Sequence, residues 1–330
     1  MRALIIGCGY VGLALGRELL ARGSQVTGLR RTASDSAELK ASGLEWWFAD
    51  VSRPETLPAI TQPFDAVVQC IASGGGEVED YRRTYLDGTR HVLDWLAAAP
   101  PRKFVYTSST GVYGQTDGSI VDETSLTEPA SPTAEILIAT EQLLLQAARE
   151  RGFPAMILRL AGIYGPGRGY WLRQFLAGEA RLEGDGQRIL NMIHRDDVVG
   201  AVLAALDRGV PGTIYNVTDD EPVTQRALFE WLATQLPMKP APSPQPSPVG
   251  RERVPDCSAE ARRAKAEGRV RGTFGGSAPA GSPSQSRGLT SKRVSNRRLR
   301  EELGCTLRFP TFREGFAAES ERLWAHPGAD

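Results

Sequence analysis

The chain has 330 residues, and its 39 lysines and arginines equal its 39 aspartates and glutamates. This length suits a large α/β domain with a smaller lobe. The charge balance argues against nucleic acid or an acidic membrane surface as a partner, so we expect a small-molecule partner.

The numbers of cysteines and histidines limit the kinds of site and the cellular location that we expect. The four cysteines show no paired spacing and there are only three histidines, so we expect no metal site and a reduced, cytoplasmic location. No uncharged stretch reaches the roughly 18 residues of a membrane span. We therefore expect neither export nor membrane insertion.

A predicted strand, a glycine turn and a helix open the chain. The apolar run at residues 3–6 leads into Gly7, Cys8, Gly9, Tyr10, Val11 and Gly12. In such a turn the first glycine permits the tight bend, the second admits a pyrophosphate, and the third lets the helix pack on the strand. The first helical amides, at Tyr10 and Val11, then face the phosphates. The pattern predicts a dinucleotide site, and the alternative is a plain glycine turn.

The second predicted strand, at residues 25–29, ends at Arg30 and Arg31. The ribose of a bound dinucleotide lies at this point. An acidic residue here bonds the 2′-hydroxyl of NAD, whereas guanidinium groups accommodate the 2′-phosphate of NADP. We therefore expect NADP in preference to NAD; the alternative is that two surface arginines simply follow a strand.

Further apolar runs alternate with polar loops and helical patterns. Strands are predicted at residues 44–48, 66–71, 104–107, 155–160 and 213–217, and helices at 78–98, 171–176, after Arg195, and at 225–236. The alternation predicts an α/β fold with a Rossmann-type, doubly wound parallel sheet. We assign residues 1–165 and 194–217 to this NAD(P)-binding domain, and 166–193 and 218–330 to a smaller C-terminal substrate lobe.

Residues 237–290 interrupt this lobe. They are rich in proline, then in charged residues, then in glycine and serine, and Phe274 is their only aromatic residue. Such a composition cannot bury enough apolar surface to offset its ordering entropy, so we expect a disordered insertion. The alternative is a basic interaction tail. A short helix is predicted within residues 294–304.

Five segments in the middle and late chain resemble a known family. They are residues 104–114 (FVYTSSTGVYG), 159–167 (RLAGIYGPG), 193–198 (IHRDDV), 215–217 (YNV) and 291–295 (SKRVS). Their order is similar to that of the extended short-chain dehydrogenases, the family of sugar-nucleotide epimerases and dehydratases. The opening turn alone equally suits UDP-sugar dehydrogenases of the 6-phosphogluconate type, but the later segments favour the short-chain family.

The resemblance implies further cofactor contacts. Asp50 matches the family's aspartate that bonds the adenine amino group, and Val51 supplies a backbone contact. Ala72 and Ser73 match the loop that passes under the ribose. Family members often form dimers, so a homodimer is expected from the resemblance alone.

The usual catalytic pair of that family is missing. The family carries a tyrosine, a lysine four positions later, and a glutamate four positions after the lysine. Counting back from Glu141 places Leu137 in the lysine slot and Thr133 in the tyrosine slot, and residues 132–150 contain neither tyrosine nor lysine. Because the ammonium lowers the pKa of the phenol, losing the pair removes roughly 10²- to 10⁴-fold of rate.

Three residues are candidates to replace the pair. Ser109, at the family's Ser/Thr position, either bonds a substrate oxygen or caps a loop. Tyr113 is either a substitute acid or a structural residue. His194 suits proton transfer near pH 7, but it can equally cap the helix that begins before Asp196.

The sequence therefore predicts an NAD(P)-binding, epimerase/dehydratase-like oxidoreductase homologue with weak or altered redox or epimerase activity. Its substrate is not identified, and nucleotide-linked small molecules are among the candidates. The alternative is a non-catalytic NADP(H)-binding sensor or regulatory protein.

Overall fold

Seven parallel strands form the central sheet of the computed structural model, which describes residues 1–32, 37–74, 77–236 and 290–325. In chain order the strands are β1 (Arg2–Ile6), β2 (Gln25–Arg30), β3 (Glu45–Phe48), β4 (Ala66–Gln69), β5 (Lys103–Ser109), β6 (Ile120–Val121), β7 (Ala155–Leu160), β8 (Gly162–Tyr164), β9 (Ile189–Leu190), β10 (Met192–His194), β11 (Ile214–Val217), β12 (Val223–Thr224) and β13 (Arg293–Val294). The α-helices are α1 (Tyr10–Ala21), α2 (Ala37–Lys40), α3 (Val78–Tyr81), α4 (Gly88–Leu96), α5 (Pro132–Arg151), α6 (Tyr170–Leu176), α7 (Arg195–Arg208), α8 (Gln225–Gln235), α9 (Arg297–Glu301) and α10 (Phe312–Ala325).

The strand order of the sheet is β11-β7-β5-β4-β1-β2-β3, and every neighbouring pair is parallel. The chain thus winds outward from β1 in both directions. In such sheets ligands bind beyond the carboxyl ends of the strands, where the order reverses between β1 and β4. The predicted Rossmann-type fold is confirmed.

Apolar side chains cover both faces of this sheet, as a parallel sheet requires. On one face α1 and α7 contribute residues such as Leu15, Leu19 and Val202. On the other face α4 and α5 contribute residues such as Leu96 and Leu144. The two faces carry separate apolar cores, which hold the carboxyl edge of the sheet in a fixed geometry.

A third apolar cluster lies in the C-terminal part of the chain. It joins α6, α8 and α10 through residues that include Phe175, Leu228 and Phe316. The short pairs β8–β10 and β9–β12 accompany it, and β13 pairs with β6. This cluster lies where the sequence predicts the core of the smaller lobe, and the division into two units stays a prediction.

The described elements differ from the predicted ones in several places. The helix predicted over residues 78–98 is α3, a π-helical turn at Arg82–Asp87, and α4. Helix α10 has no counterpart among the predicted elements. Residues 299–307 pack into the first core, on the sheet, although the predicted division assigns them to the lobe. Leu299 and Leu303 are four residues apart, so they present one apolar face to that core.

The predicted insertion at 237–290 lies, apart from Thr290, outside the described residues. Within the described part of the chain, no helix combines the length and apolar character that crossing a membrane requires.

Candidate dinucleotide site

The glycine turn between β1 and α1 is held from two sides. The amides of Gly7 and Cys8 donate to Leu29 O at 3.0 and 3.1 Å. Gly7 has a φ of +85°, and a Cβ there would lie 2.6 Å from the backbone of Ile71. Only glycine meets both conditions without strain. The turn is therefore fixed between the carboxyl ends of β2 and β4.

Gly12 sets the distance between α1 and the sheet. A Cβ on Gly12 would stand 2.9 Å from Ile5 Cγ2 and 3.1 Å from Cys70 Sγ. The helix consequently lies close against β1, which brings its first turn to the edge of the sheet.

The amino end of α1 can receive a diphosphate. The first bond inside the helix runs from Leu13 N–H to Gly9 O at 2.8 Å, no described side chain caps this end, and its first turn contains no acidic residue. The amides of Tyr10, Val11 and Gly12 precede that bond and have no partner within the helix. A Cβ on Gly9 would contact only Gly7 O, at 3.9 Å, so the approach is open. Unused amides, a helix dipole and open space fit a nicotinamide dinucleotide diphosphate.

Asp50 lies beyond the carboxyl end of β3 and is oriented by its neighbours. Its Oδ1 accepts the amide and the hydroxyl of Ser52 at 2.9 and 2.7 Å. Burial alone would raise the pKa of Asp50, but the Ser52 bonds and the charges of Arg31 and Arg53 hold it below the ordinary value. The carboxylate is therefore ionised and suited to accept an amino group. Val51, next in the chain, is buried, and its carbonyl lies 2.8 Å from His91 Nδ1.

Arg30 and Arg31 do not act as a pair in the structure. The Arg31 guanidinium lies 3.3 Å from the position that a Cβ would take on Gly74, and its charge acts on Asp50. Arg30 instead lines a cavity on the other side, together with Gly9. Arg30 is the last residue of β2 and Arg31 is the first residue after it, and their side chains contact different parts of the structure. Arg31 is thus the arginine nearer the predicted adenosine end.

The loop after β4 carries Ala72, which is exposed, and Ser73. The Ser73 amide donates to the Tyr85 hydroxyl at 3.3 Å. Tyr85 belongs to the π-helical turn, and its ring packs against the apolar cluster that contains Leu137. The continuous helix predicted at residues 78–98 gave no indication of this contact, because helical spacing gives no sign of a π-helical turn.

The carboxyl end of β5 presents Ser109. Its Oγ accepts the Gly111 amide at 3.0 Å and so caps the short turn at Thr110–Val112. The side chain is partly exposed, and its hydroxyl proton stays available for donation to another oxygen. Ser109 therefore has the capping geometry, and its hydrogen bond to a substrate oxygen stays a prediction.

The positions that the sequence predicts for the usual catalytic pair lie at the start of α5. Thr133 Oγ1 is 3.0 Å from Ser131 Oγ, the N-cap of the helix. Leu137 is buried in an apolar cluster with Val112 and Val121. Neither side chain titrates near neutral pH, so α5 supplies no acid or base at these two positions.

Tyr113 is completely buried in a polar network. Its hydroxyl accepts from Arg159 Nη1 at 2.7 Å and lies 2.9 Å from Asn216 Oδ1 and from Asp122 O. Burial raises the pKa of this phenol. With its hydroxyl committed to protein groups, Tyr113 has the geometry of a structural residue, and we do not retain it as a substitute acid.

The same network contains a buried ion pair. Arg159 forms bonds of 2.7 to 3.1 Å with both carboxylate oxygens of Glu141, and Ser108 Oγ donates to Glu141 Oε1 at 2.5 Å. The network ties α5 to β5, β7 and β11. Glu141 and residues from three of the segments that carry the resemblance, 104–114, 159–167 and 215–217, thus meet in this one network.

His194 has the geometry of the capping alternative. Its Nδ1 accepts the Asp196 amide at 3.1 Å at the start of α7, which leaves the ring proton on Nε2. Nε2 donates to Glu319 Oε1 at 3.1 Å, and the ring lies 4.0 Å from that of Phe309. The imidazole is completely buried. We therefore do not retain His194 as a proton-transfer group.

The fold and the glycine turn define a Rossmann-fold protein of the NAD-binding class. The sequence profile of the NAD dependent epimerase/dehydratase family matches residues 3–218. The chain belongs to that family, and the resemblance drawn from the sequence segments is confirmed.

Individual relatives agree with this assignment. The chain is 29% identical over 244 residues to Protein YeeZ of Escherichia coli K12, covering 72% of this chain and 85% of YeeZ. It is 27% identical over 278 residues to a 3-diazoavenalumate denitrifying reductase of Streptomyces, covering 76% and 85% of the two chains. The solved dTDP-glucose 4,6-dehydratase DesIV of Streptomyces venezuelae, with NAD bound, aligns with a TM-score of 0.76 at 21% identity over 99% of this chain and 98% of DesIV. This last likeness concerns the fold alone.

Proposed function

We propose that this protein is an NADP(H)-binding oxidoreductase or epimerase homologue with weak or altered activity on a small-molecule substrate. The observation that carries the proposal is the contrast within one site. The geometry of the glycine turn fits a dinucleotide, while Thr133 and Leu137, which the sequence predicts at the tyrosine and lysine positions, contact Ser131 and an apolar cluster.

The residues of this chain divide the work as follows. The first amides of α1 bind the diphosphate, and Asp50 accepts the adenine amino group. Ser109 donates a hydrogen bond to a substrate oxygen and so orients it. A bound nicotinamide would supply hydride chemistry, but Thr133 and Leu137 do not titrate near neutral pH and so cannot exchange the proton that accompanies the hydride. The expected loss is roughly 10²- to 10⁴-fold in rate.

Preference for NADP rests on Arg31. Its guanidinium lies between Asp50 and the loop at Gly74, at the predicted adenosine end of the dinucleotide site. A 2′-phosphate there would receive charge-assisted hydrogen bonds that a 2′-hydroxyl cannot match.

The free thiols of Cys8, Cys70 and Cys305 suit the reduced, cytoplasmic location that we propose for this protein.

A second function, binding without catalysis, is favoured by one specific observation. Leu137 is not merely a different side chain at the lysine position, since it is packed into an apolar cluster with Val112 and Val121. An ammonium would not be tolerated there without a partner. A protein that binds NADP(H) and reports it, by itself or as a homodimer, is consistent with such a site.

One experiment separates these possibilities. NADPH and NADH are titrated by calorimetry, and NADPH oxidation is then followed with aldehydes, ketones and UDP- or dTDP-sugars. We expect tight NADPH binding and slow turnover that Ser109→Ala abolishes, while the control Ser24→Ala, at the turn after α1, retains it.

Each other outcome of the titration and turnover measurements supports or contradicts a specific proposal. Binding without turnover across all substrates supports the sensor. Rapid turnover of a keto-sugar contradicts the weak-activity proposal but leaves the cofactor site standing. A lack of heat with both coenzymes overturns the proposed function as a whole.

A further inference from the structure

A cavity of about 910 Å³ opens beside the predicted dinucleotide groove. Its walls are the outer face of α1, the loop at residues 165–169, helix α6, and Glu319 of α10. We call it the arginine pocket, because the residues that line it include Arg17, Arg30, Arg168, Arg173 and Arg195. These arginines come from four separate parts of the chain.

The charge of the arginine pocket is strongly positive. Among the described residues that line it, Glu319 is the only one with a carboxylate, and its Oε1 is bonded to His194 and lies 3.4 Å from Arg322. Asp196 balances Arg195 at 2.9 Å. Without counting Arg17 or Arg195, the lining still contains Arg30, Arg168 and Arg173, and a concave surface with one sign of charge attracts ligands of the other sign.

Tyr10 organises the inner end of the pocket. The guanidinium carbons of Arg168 and Arg195 lie 5.2 and 5.3 Å from the centre of its ring. Its hydroxyl is buried, with no hydrogen-bond partner among the described residues. Gly165, with a φ of +141°, lets the loop approach this hydroxyl, since a Cβ there would be 3.0 Å from it. Two stacked cations and an unsatisfied hydroxyl together form a polar end that suits phosphate oxygens.

The remaining lining is apolar. Leu13, Leu172 and Leu176 face the same cavity, and Leu176 is 52% exposed. An exposed leucine next to clustered arginines suits a ligand with an apolar body and an anionic head. Simple inorganic phosphate would fill only the polar end.

The arginine pocket lies on a different side of the site from the predicted adenosine contacts. Arg30 lines the pocket on the α1 face, whereas Arg31 extends toward Asp50 and Gly74. The turn at Gly9 and Tyr10 forms the border between the two. Arg168, Leu172, Arg173 and Leu176, which line the rest of the pocket, are not among the predicted cofactor contacts.

We propose that the arginine pocket binds a second ligand, a phosphate-bearing small molecule with an apolar body, alongside the dinucleotide. The phosphate is held by Arg168, Arg173 and the Tyr10 hydroxyl, and the apolar body contacts Leu172 and Leu176. This site goes beyond the proposed function, because it does not depend on whether the cofactor reacts.

Phenyl phosphate is the probe, titrated by calorimetry into the full-length protein alone, with saturating NADH, and with saturating NADPH. We expect binding in all three conditions, weakened by added salt. Phenol, which lacks the phosphate, should bind at least about tenfold more weakly because it forms no charge-assisted hydrogen bonds.

Variants locate the site. Arg168→Gln and Arg173→Gln should each raise the Kd for phenyl phosphate by about tenfold while leaving NADH affinity unchanged. The control Arg151→Gln, an exposed arginine at the end of α5, should leave both affinities unchanged.

Three results would overturn the proposal: absence of phenyl phosphate binding, wild-type affinity in both pocket variants, or loss of binding with NADPH but not with NADH. The last result would assign the pocket to the 2′-phosphate of NADP. Failure of the proposed function is distinguishable, since it appears as missing heat in the coenzyme titrations.

Discussion

At the scale of single residues, the site depends on where neighbouring side chains point. Arg30 and Arg31 are adjacent in the chain, yet one lines the arginine pocket and the other reaches the loop at Gly74. The sequence predicts that both arginines lie at the ribose, and it cannot show which of them faces the cofactor and which faces the arginine pocket. The contacts that each side chain makes in the folded chain distinguish the two.

Arg31→Ala should therefore weaken NADPH binding more than NADH binding. The lost charge-assisted contact corresponds to about 1.5 to 3 kcal/mol for NADPH, or roughly ten- to hundredfold in Kd. Isothermal calorimetry with both coenzymes measures the difference. The control is Arg102→Ala, whose side chain is exposed and distant in the chain from the glycine turn. Equal losses for the two coenzymes would show that Arg31 does not distinguish them.

Asp219 gives a prediction for pH. It is 1% exposed, its Oδ2 has no hydrogen-bond partner among the described residues, and burial raises its pKa to about 8. An unfolded aspartate titrates near 3.9, at about four units lower. The folded state therefore holds a proton that the unfolded state releases, so this carboxyl favours folding at low pH and loses that contribution as pH rises toward about 8.

Replacing Asp219 by asparagine removes this titration. We expect the free energy of unfolding, measured by urea denaturation, to fall less steeply between about pH 4 and pH 8 in Asp219→Asn than in the wild type. Other groups titrate alike in both proteins, so the difference between the two curves isolates Asp219. Parallel curves would contradict the assigned burial effect.

At the scale of elements, α1 works as a cofactor-binding helix because it touches the sheet. Gly12 permits this contact, with Ile5 Cγ2 only 2.9 Å from the place of a Cβ. The buried network of Glu141, Arg159 and Tyr113 holds α5 to the strands in a comparable way. Residues in the segments that carry the resemblance thus hold helices and strands together, in addition to any role in the chemistry.

Gly12→Ala should displace α1 from the sheet. Overpacking of this kind costs about 1 to 3 kcal/mol of stability, and NADPH affinity should fall with it because the amides of the first turn move. Thermal unfolding and coenzyme titration measure the two effects.

The matched control is Gly200→Ala in α7, where no atom lies within 4 Å of the added Cβ. It should stabilise the protein by about 0.5 to 1 kcal/mol through helix propensity. If Gly12→Ala were as stable to thermal unfolding as Gly200→Ala, the result would contradict the role of Gly12 in packing α1 closely against the sheet.

At the scale of the whole molecule, the two ends that flank the predicted insertion are anchored independently. Leu236, after α8, is buried in the cluster of the smaller lobe. On the other side β13 pairs with β6, and Lys292 Nζ donates to Tyr113 O. The contacts named for both anchors join described residues, and residues 237–289 lie outside the described part of the chain.

Deleting residues 240–289 should consequently leave the free energy of unfolding within about 2 kcal/mol of the wild type, since loop-closure entropy changes slowly with length. NADPH affinity should also be retained. A second variant, in which a ten-residue Gly/Ser linker replaces the deleted segment, controls for strain in the short connection. Loss of cooperative unfolding in both variants would contradict the prediction.

By itself, the sequence determined the class of this protein. Glycine spacing, apolar runs between turns and the order of the later segments are local patterns, and each specifies a strand, a turn or a helix without reference to distant residues. The parallel sheet follows from their alternation, and the absence of tyrosine and lysine at residues 132–150 can be read directly.

Only the tertiary structure decided which candidates face a ligand. Tyr113 and His194 are completely buried among partners far away in the chain, and the arginine pocket gathers residues from Arg17 to Arg195. Burial, hydrogen bonding and local charge depend on contacts between segments distant in sequence. The availability of a hydroxyl, an imidazole or a guanidinium is therefore a property of the packed fold and not of the local pattern.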